Sequence, residues 1–346
     1  MIEDFLYRRG LLNRPFRSKL GEKEPTQQEK TVNSFRLASL DVLYPVGGAD
    51  VSRWQGVMDW GKFESQLYFV FIQSSYGAAG IDSGFKINLA EVQKRNVAFG
   101  LYHYLKPGND FRKTAQLFYN CWKDSGSQLP PAFDVEQNDG LDKNALNNWM
   151  EKVLKTFHEL GGPLLNIGYS SANFINTYVM TTPTFDWVKN LDWWIANWTT
   201  ASEPLLPIVF SKFAKPKSWK FWQFSSTGNG PFYGASSPRL DLNRYYKDLA
   251  TFNAEYRVNL EVRPFTPPPD NTPLGEMMVR TPGGLSVRSG PGITYPINGA
   301  IPYQTIVTPI QIDGPSAWIE ILPGKWVCVT LDSGGQHLRF LEKVAK

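Results

Sequence analysis

Two acidic residues stand two positions apart at the end of a short apolar run, Pro130-Pro131-Ala132-Phe133-Asp134-Val135-Glu136. The run has the length and composition of a buried strand. Side chains alternate along a strand, so Asp134 and Glu136 face the same way with Cα atoms roughly 6.6 Å apart. Two carboxylates at that separation can share one substrate and push each other's proton affinities apart. One then keeps its proton as a general acid while the other stays ionised. An Asp-x-Glu pair is common, and its plain reading is an acidic strand end that meets solvent or caps the next helix. The residues that accompany the pair along the chain raise the chemical reading above the plain one.

From Gly47 onward, short apolar runs recur: Ala49–Trp54, Phe69–Ser74, Ala98–Leu105, Ala132–Glu136, Leu164–Ser170, Trp193–Trp198, Lys220–Phe224 and Leu240–Asn243. Between several of them, apolar residues recur at three-to-four spacing, in Asn88–Arg95, Phe111–Trp122 and most clearly Asn144–Leu160. Alternating strands and helices predict an α/β fold with a mostly parallel sheet, and about eight such units suggest a (β/α) TIM-like barrel. The last interval has little room for helices, so the barrel is expected to be irregular. Barrels of this kind carry their chemistry at the C-terminal ends of the strands. Asp50, Tyr102-His103-Tyr104, Asp134 and Glu136, Tyr169, Trp194 with Asn197 and Trp198, Trp222-Gln223, and Asp241 with Asn243 all fall near such ends. Carboxylates for proton transfer beside aromatic platforms for sugar rings are what glycoside hydrolysis needs.

Composition narrows the field. Of 346 residues, 42% are hydrophobic and 20% charged, the profile of a soluble globular chain, and no apolar run is long enough to span a membrane. The net charge of +4 is mild and suits an anionic surface such as a bacterial wall without demanding one, and no basic stripe points to nucleic acid. The three histidines, His103, His158 and His337, are scattered, and Cys121 and Cys328 lie far apart. No zinc spacing, disulfide framework or Ser-His-Asp set is visible, so no metal and no cofactor are expected.

Asp50-Val51-Ser52-x-Trp54-Gln55-Gly56 with Asp59-Trp60, Gly100-x-Tyr102-His103, Asp134-x-Glu136, Trp222-Gln223-x-Ser225 and Asp241-x-Asn243 occur in this order over about Gly47 to Leu249. Each motif is weak, but the ordered set resembles glycoside hydrolase family 25, the Chalaropsis-type lysozymes and many phage endolysins. The resemblance implies N-acetylmuramidase activity on the β-1,4 bond between N-acetylmuramic acid and N-acetylglucosamine. It implies Glu136 as general acid and Asp134 as the carboxylate that stabilises the oxocarbenium-like centre or orients the substrate's 2-acetamido group. Asp50 and Asp241 match two further acids of the cleft. Tyr102, Tyr169, Trp198, Trp222 and Asn243 are candidate sugar contacts, with core packing the plain alternative for each aromatic. One departure stands out. Where the family usually shows a Lys and an acidic residue, this chain has Gln73 and Tyr76 in Ile72-Gln73-Ser74-Ser75-Tyr76-Gly77.

Four parts are expected: an N-terminal arm over 1–46, the catalytic barrel over 47–260, a Pro-rich linker over 261–274 and a small all-β barrel over 275–346. The arm lacks the order of a secretory signal and reads as a tail or as a docking arm, onto the barrel or onto an assembly such as a virion. The linker contains three consecutive prolines, Pro267-Pro268-Pro269, which favour a semi-rigid extended spacer. Beyond it, Leu285-Ser286-Val287-Arg288-Ser289-Gly290-Pro291-Gly292 resembles the signature of bacterial SH3-like domains, with Ser286 in place of the usual Asn. Such domains commonly bind cell-wall peptide or glycan, with a spacer or protein-interaction module the plain alternative. Together these readings describe a peptidoglycan hydrolase made in the cytoplasm that reaches the bacterial wall after holin release or on a phage particle. Two others stand beside it: a wall-binding or structural virion protein with little catalysis, and a glycosidase of another glycan such as chitin.

Overall fold

The computed structural model describes residues 43–179, 187–199, 203–212 and 218–263, with Leu40 and Ala201 beside them, and of residues 277–343 mainly those in strands. The expectations for residues 1–39 and for the linker beyond residue 263 lie outside the described residues. Leu40 is buried in the outer layer of the first domain, and Tyr44 packs edge-on against Trp219 at 4.8 Å between ring centroids.

The first domain runs β1 (Gly47–Val51), α1 (Trp60–Gln66), β2 (Phe69–Tyr76), β3 (Gly80–Ile81), α2 (Phe85–Val92), β4 (Ala98–Tyr104), α3 (Phe111–Trp122), β5 (Ala132–Asp134), α4 (Lys143–Glu159), β6 (Ile167–Ser171), α5 (Ala172–Tyr178), α6 (Trp187–Asn190), β7 (Asp192–Ala196), β8 (Phe221–Asn229), β9 (Arg239–Tyr245) and α7 (Leu249–Tyr256). The strands hydrogen-bond in the order β1-β9-β8-β7-β6-β5-β4-β2-β3, and a β1–β2 pairing closes the sheet into a barrel, with β3 folded back on β2. The barrel strands are parallel except β9, which is antiparallel to both β8 and β1. The expected (β/α) barrel is therefore present, with its irregularity in the last stretch, where a turn replaces a helix between β8 and β9.

Alternation sorts the strand residues into two cores. Val70 and Ile72, Phe99 and Leu101, Phe133 and Val135, and Trp193 and Ile195 face outward and meet the helices. Phe69, Phe71, Tyr102, Ile167, Tyr169, Trp194, Phe221 and Tyr245 fill the barrel. Two glycines make room for the large rings. A Cβ on Gly48 would lie 2.5 Å from the Phe69 ring, and one on Gly100 2.7 Å from Phe71. The helix α4 shows why the periodicity was readable. Leu146, Met150, Val153, Leu154 and Phe157 form its buried stripe, the Asp142 side chain caps its start by accepting from the Ala145 N–H at 2.8 Å, and Gly161 at φ 103° follows its end. At the floor of the barrel, α7 seals the interior with Phe252 and Tyr256, which pack on Phe69, Phe221 and Tyr245.

Between β2, β4 and α3 lies a small polar cluster. His103 is fully buried against Phe118, and its Nδ1 shares a 2.8 Å hydrogen bond with Ser75 Oγ. Burial pushes its pKa down from 6.5 to about 3, against a smaller opposing contribution at Gly77, so the ring is neutral in the folded protein. The unfolded chain takes up a proton below about pH 6.5 and the folded chain does not.

Among the described residues of 277–343 the regular elements are strands. β10 (Met277–Val279) pairs with β13 (Ile306–Val307) and β19 (Leu341–Lys343). A second antiparallel sheet joins β11 (Leu285–Arg288), β12 (Ile297–Ile301), β14 (Gln311–Asp313), β15 (Trp318–Leu322) and β16 (Lys325–Cys328). β17 (Thr330–Ser333) and β18 (Gln336–Arg339) form a hairpin.

The buried histidine has a measurable consequence. Its contribution makes unfolding easier as pH falls from about 6.5 towards about 3, by about 1.4 kcal/mol per pH unit. Urea unfolding of the wild type beside His103→Gln between pH 7 and pH 4 should show the shallower loss of stability in the variant. Parallel slopes would mean that His103 takes up its proton without unfolding.

Candidate active site

The barrel interior changes character along its axis. The floor is aromatic, and the mouth at the C-terminal ends of the parallel strands is polar. Asp50 on β1 is 2% exposed, yet its Oδ2 accepts N–H groups from Gln223 on β8 and Asn243 on β9, each at 2.9 Å. Each amide is held in turn. Gln223 Oε1 accepts from the Tyr169 hydroxyl at 3.0 Å and from Trp198 Nε1 at 3.1 Å, and Asn243 Oδ1 accepts from Trp194 Nε1 at 2.7 Å. A carboxylate on β1 is thereby fixed through β6, β7, β8 and β9. Buried polar groups require such partners, because an unsatisfied one costs about 1–3 kcal/mol.

Asp134 ends β5 and is fully buried, in register with Tyr104 on β4 and Tyr169 on β6. The ladder continues past it, with the Val135 N–H donating to Tyr169 O at 3.0 Å, the Leu105 N–H to Asp134 O at 2.9 Å and the Ser170 hydroxyl to Val135 O at 2.6 Å. Val135 is buried in the outer core, so by alternation Glu136 returns to the side of Asp134, half-buried at the mouth. Asp241 lies opposite Asp50 in the β1–β9 register and is partly exposed. The fold thus brings Asp50, Asp134, Glu136 and Asp241 to one mouth.

Asp241 arrives there by a different route from the one its position suggests. Because β9 is antiparallel, Asp241 is near the start of its strand rather than the end. Trp222 is a correction. It is fully buried on the outer face of β8, packed between Trp219 and Phe224 with centroids 5.9 Å away in each case, and its Nε1 donates to Asn197 O. It cannot touch a sugar in the barrel, and its neighbour Gln223 takes the inward position. The parity of β8 decides this, and pairing of Ala196 with Gln223 and of Ile195 with Trp222 would have supplied it. Tyr102 and Tyr169 are each 2% exposed, ring-packed against Trp194, and their hydroxyls donate to Gln73 and Gln223. They form the bed beneath the mouth rather than open platforms. Asn243 is 1% exposed and serves Asp50. Trp198 is 49% exposed and remains an open indole at the rim, joined by Trp54 at 39%.

One wall is built by the turn between β8 and β9. The Asp59 N–H donates to Gly234 O at 2.7 Å, Ser236 N–H to Val57 O at 2.9 Å and Ser237 N–H to Gln55 O at 3.1 Å. Gly234, at φ 92°, has to be glycine, since a Cβ would lie 2.2 Å from Asp59 O.

A closed α/β barrel with carboxylates gathered at one mouth and indoles on its rim is the build of a glycoside hydrolase. The family model "Glycosyl hydrolases family 25" matches residues 49–231, more than half of the chain, and the protein belongs to that family; it is a glycoside hydrolase. Lysozyme M1 of Streptomyces globisporus is 27% identical over 215 residues, 58% of this chain and 67% of that protein. The bacterial lysozyme from Streptomyces coelicolor superposes with a TM-score of 0.51 at 25% identity, covering 60% of this chain and 95% of that one. A muramidase from Acremonium alcalophilum shares the fold with a TM-score of 0.51 at 22% identity, over 61% and 98% of the two chains.

The network around Asp50 predicts a stability effect. Asn243→Leu removes one donor to a buried carboxylate and leaves Trp194 Nε1 without its acceptor. Urea denaturation should show a loss of about 2–4 kcal/mol from these two deficits. A loss below about 0.5 kcal/mol would mean that the amide is not a support of the site.

Proposed function

We propose that the chain is an N-acetylmuramidase acting on bacterial peptidoglycan, with Glu136 as general acid. The observation that carries this reading is the placement of Glu136 beside buried Asp134 on a backbone fixed by the β4 and β6 ladders, at a mouth shared with Asp50 and Asp241. Glu136 is the more exposed of the pair and has access to a glycosidic oxygen. It protonates that oxygen as the bond to the anomeric carbon breaks, and water completes the hydrolysis. Asp134, within the barrel, stabilises the positive anomeric centre or orients the 2-acetamido group towards it. Asp50 and Asp241 supply negative potential to the same centre, and preorganised charge of this kind needs no rearrangement during reaction. Trp198 gives the sugar chain an apolar face at the rim. The lysozyme and muramidase names of the similar proteins support the substrate.

The C-terminal strands belong to the proposal as an SH3-like wall-binding domain, supported by the Leu285–Arg288 strand and the glycine- and proline-rich turn signature that follows it. Tethering would raise the local concentration of wall bonds at the mouth. A catalytic barrel joined to a wall-binding tail suits a phage endolysin or a virion-associated lysin, with the N-terminal arm, residues 1–46, as the segment proposed to dock on a particle.

Reducing-end release from purified peptidoglycan, with products identified by mass, tests the chemistry. The wild type should release chains ending in muramic acid, and Glu136→Gln should be slower by about a hundredfold or more. Cleavage of chitin but not peptidoglycan would overturn the substrate, and wall binding without cleavage of either would leave a binding protein. For the tail, the full chain should sediment with purified walls more completely than a chain ending at Arg263, and equal sedimentation would remove the wall-binding role.

A further inference from the structure

At the end of β2 the rim carries two cations, Arg53 and Lys106, gathered on one aromatic ring. Tyr76 is the last residue of β2. Its ring lies flat on Gly80 of the paired strand β3, where a Cβ would come within 2.1 Å of it. Two cations converge on this ring: the Arg53 guanidinium at 5.8 Å from the centroid and the Lys106 ammonium at 5.6 Å. Arg53 also lies 4.6 Å from the centroid of the half-exposed Trp54. It is aimed by buried Asp82, which accepts the Arg53 N–H at 2.9 Å and ion-pairs with the guanidinium at 3.6 Å.

Asp82 offsets the charge of Arg53, which leaves Lys106 as the excess positive charge of this ledge. Among the described residues, no carboxylate comes within 4.0 Å of the Lys106 ammonium. β4 is hydrogen-bonded to β5, so Lys106, two residues past the end of β4, borders the strand end that carries Asp134 and Glu136. The mouth is therefore polarised, with acids where the glycosidic bond would sit and a cationic, aromatic ledge beside them.

We propose that Lys106, seated on Tyr76, is a specificity-determining residue that binds a carboxylate carried by the glycan substrate. This rests on the peptidoglycan reading. In that polymer, carboxylates come from the ether-linked acid of muramic acid or from its peptide stem. The neighbouring aromatic rings supply an apolar seat for the carbon skeleton that bears the charge. An exposed charge pair of this kind contributes up to roughly fivefold in affinity and weakens with salt.

Calorimetric binding to Glu136→Gln protein reads the ledge without turnover. Three glycan preparations are compared: chains with intact acidic stems, the same chains with carboxylates converted to methylamides, and chains stripped of stems. Acidic chains should bind about threefold more tightly than methylamidated ones, and adding Lys106→Gln should abolish that preference. Lys106→Glu should reverse it. Binding of stripped chains, whose muramic acid carboxyl is freed from its amide, that weakens in Lys106→Gln assigns the contact to the sugar's own carboxylate, and Lys106 dependence confined to stem-bearing chains assigns it to the stem. Equal binding of acidic and methylamidated chains, or a preference that survives in Lys106→Gln, overturns the proposal. Turnover by the wild type is followed in parallel. Failure to cleave any of the three chains would overturn the muramidase reading, while the binding comparison would still decide the ledge.

Discussion

A carboxylate placed inside a barrel has to be hydrogen-bonded, and this requirement around Asp50 organises the upper half of the molecule. Transfer of an unpaired charge into such a position costs far more than a domain of this size can spare from its net stability. The two amides that donate to Asp50 come from different strands, and each is oriented by an indole or a phenol from further strands. An amide has both a donor and an acceptor end, so it can relay the demand outward to Tyr169, Trp194 and Trp198. These residues therefore answer two needs at once. Their rings fill the interior and their polar tips complete the network. Removing one partner therefore transmits a deficit to the next.

The direction of β9 is the second constraint. In a barrel with every strand parallel, each mouth residue is the last of its strand, and the chain must return by a crossover to the floor each time. Here the chain turns directly from β8 into β9 at the mouth, and the turn itself becomes a wall held to residues 55–59. Reversal also sets Asp241 directly across from Asp50, a side-by-side pairing of two acids. Like charges opposite one another on adjacent strands are unfavourable. The structure accepts that cost where the amide donors to Asp50 offset part of it and where solvent reaches Asp241.

What was legible in the sequence follows from which signals are local. The alternation of Ala132–Glu136 and the helical stripe of Asn144–Leu160 are period signals, and both correspond to observed elements. The family motifs located the mouth acids without any knowledge of pairing. The inward residue of β8 was not legible, because Phe221, Trp222 and Phe224 are all apolar and no alternation separates the faces. Only the register with β7 shows that Gln223 points in and Trp222 out. The antiparallel course of β9 was hidden for a similar reason, since a strand's direction is a property of its neighbours. The helices α1 and α5, seven residues each, are too short to display a period and rely on Asp59 and Ser171 caps. Likewise Tyr102 and Tyr169 read as aromatic platforms from type and position, although burial of both rings against Trp194 is a tertiary fact.

The ledge at Tyr76 shows how one aromatic residue gathers the charges of a rim. An acidic side chain at that position would draw Arg53 and Lys106 into ion pairs and cancel their charge. A phenol ring attracts both cations through its face, and with Arg53 offset by Asp82 it is the Lys106 charge that stays available to a ligand. Gly80 is part of the same arrangement, since only a residue without Cβ lets the ring settle on β3. The glycine, the aromatic ring, the aimed guanidinium and the lysine form one unit, and its chemistry complements an acidic glycan rather than a neutral one.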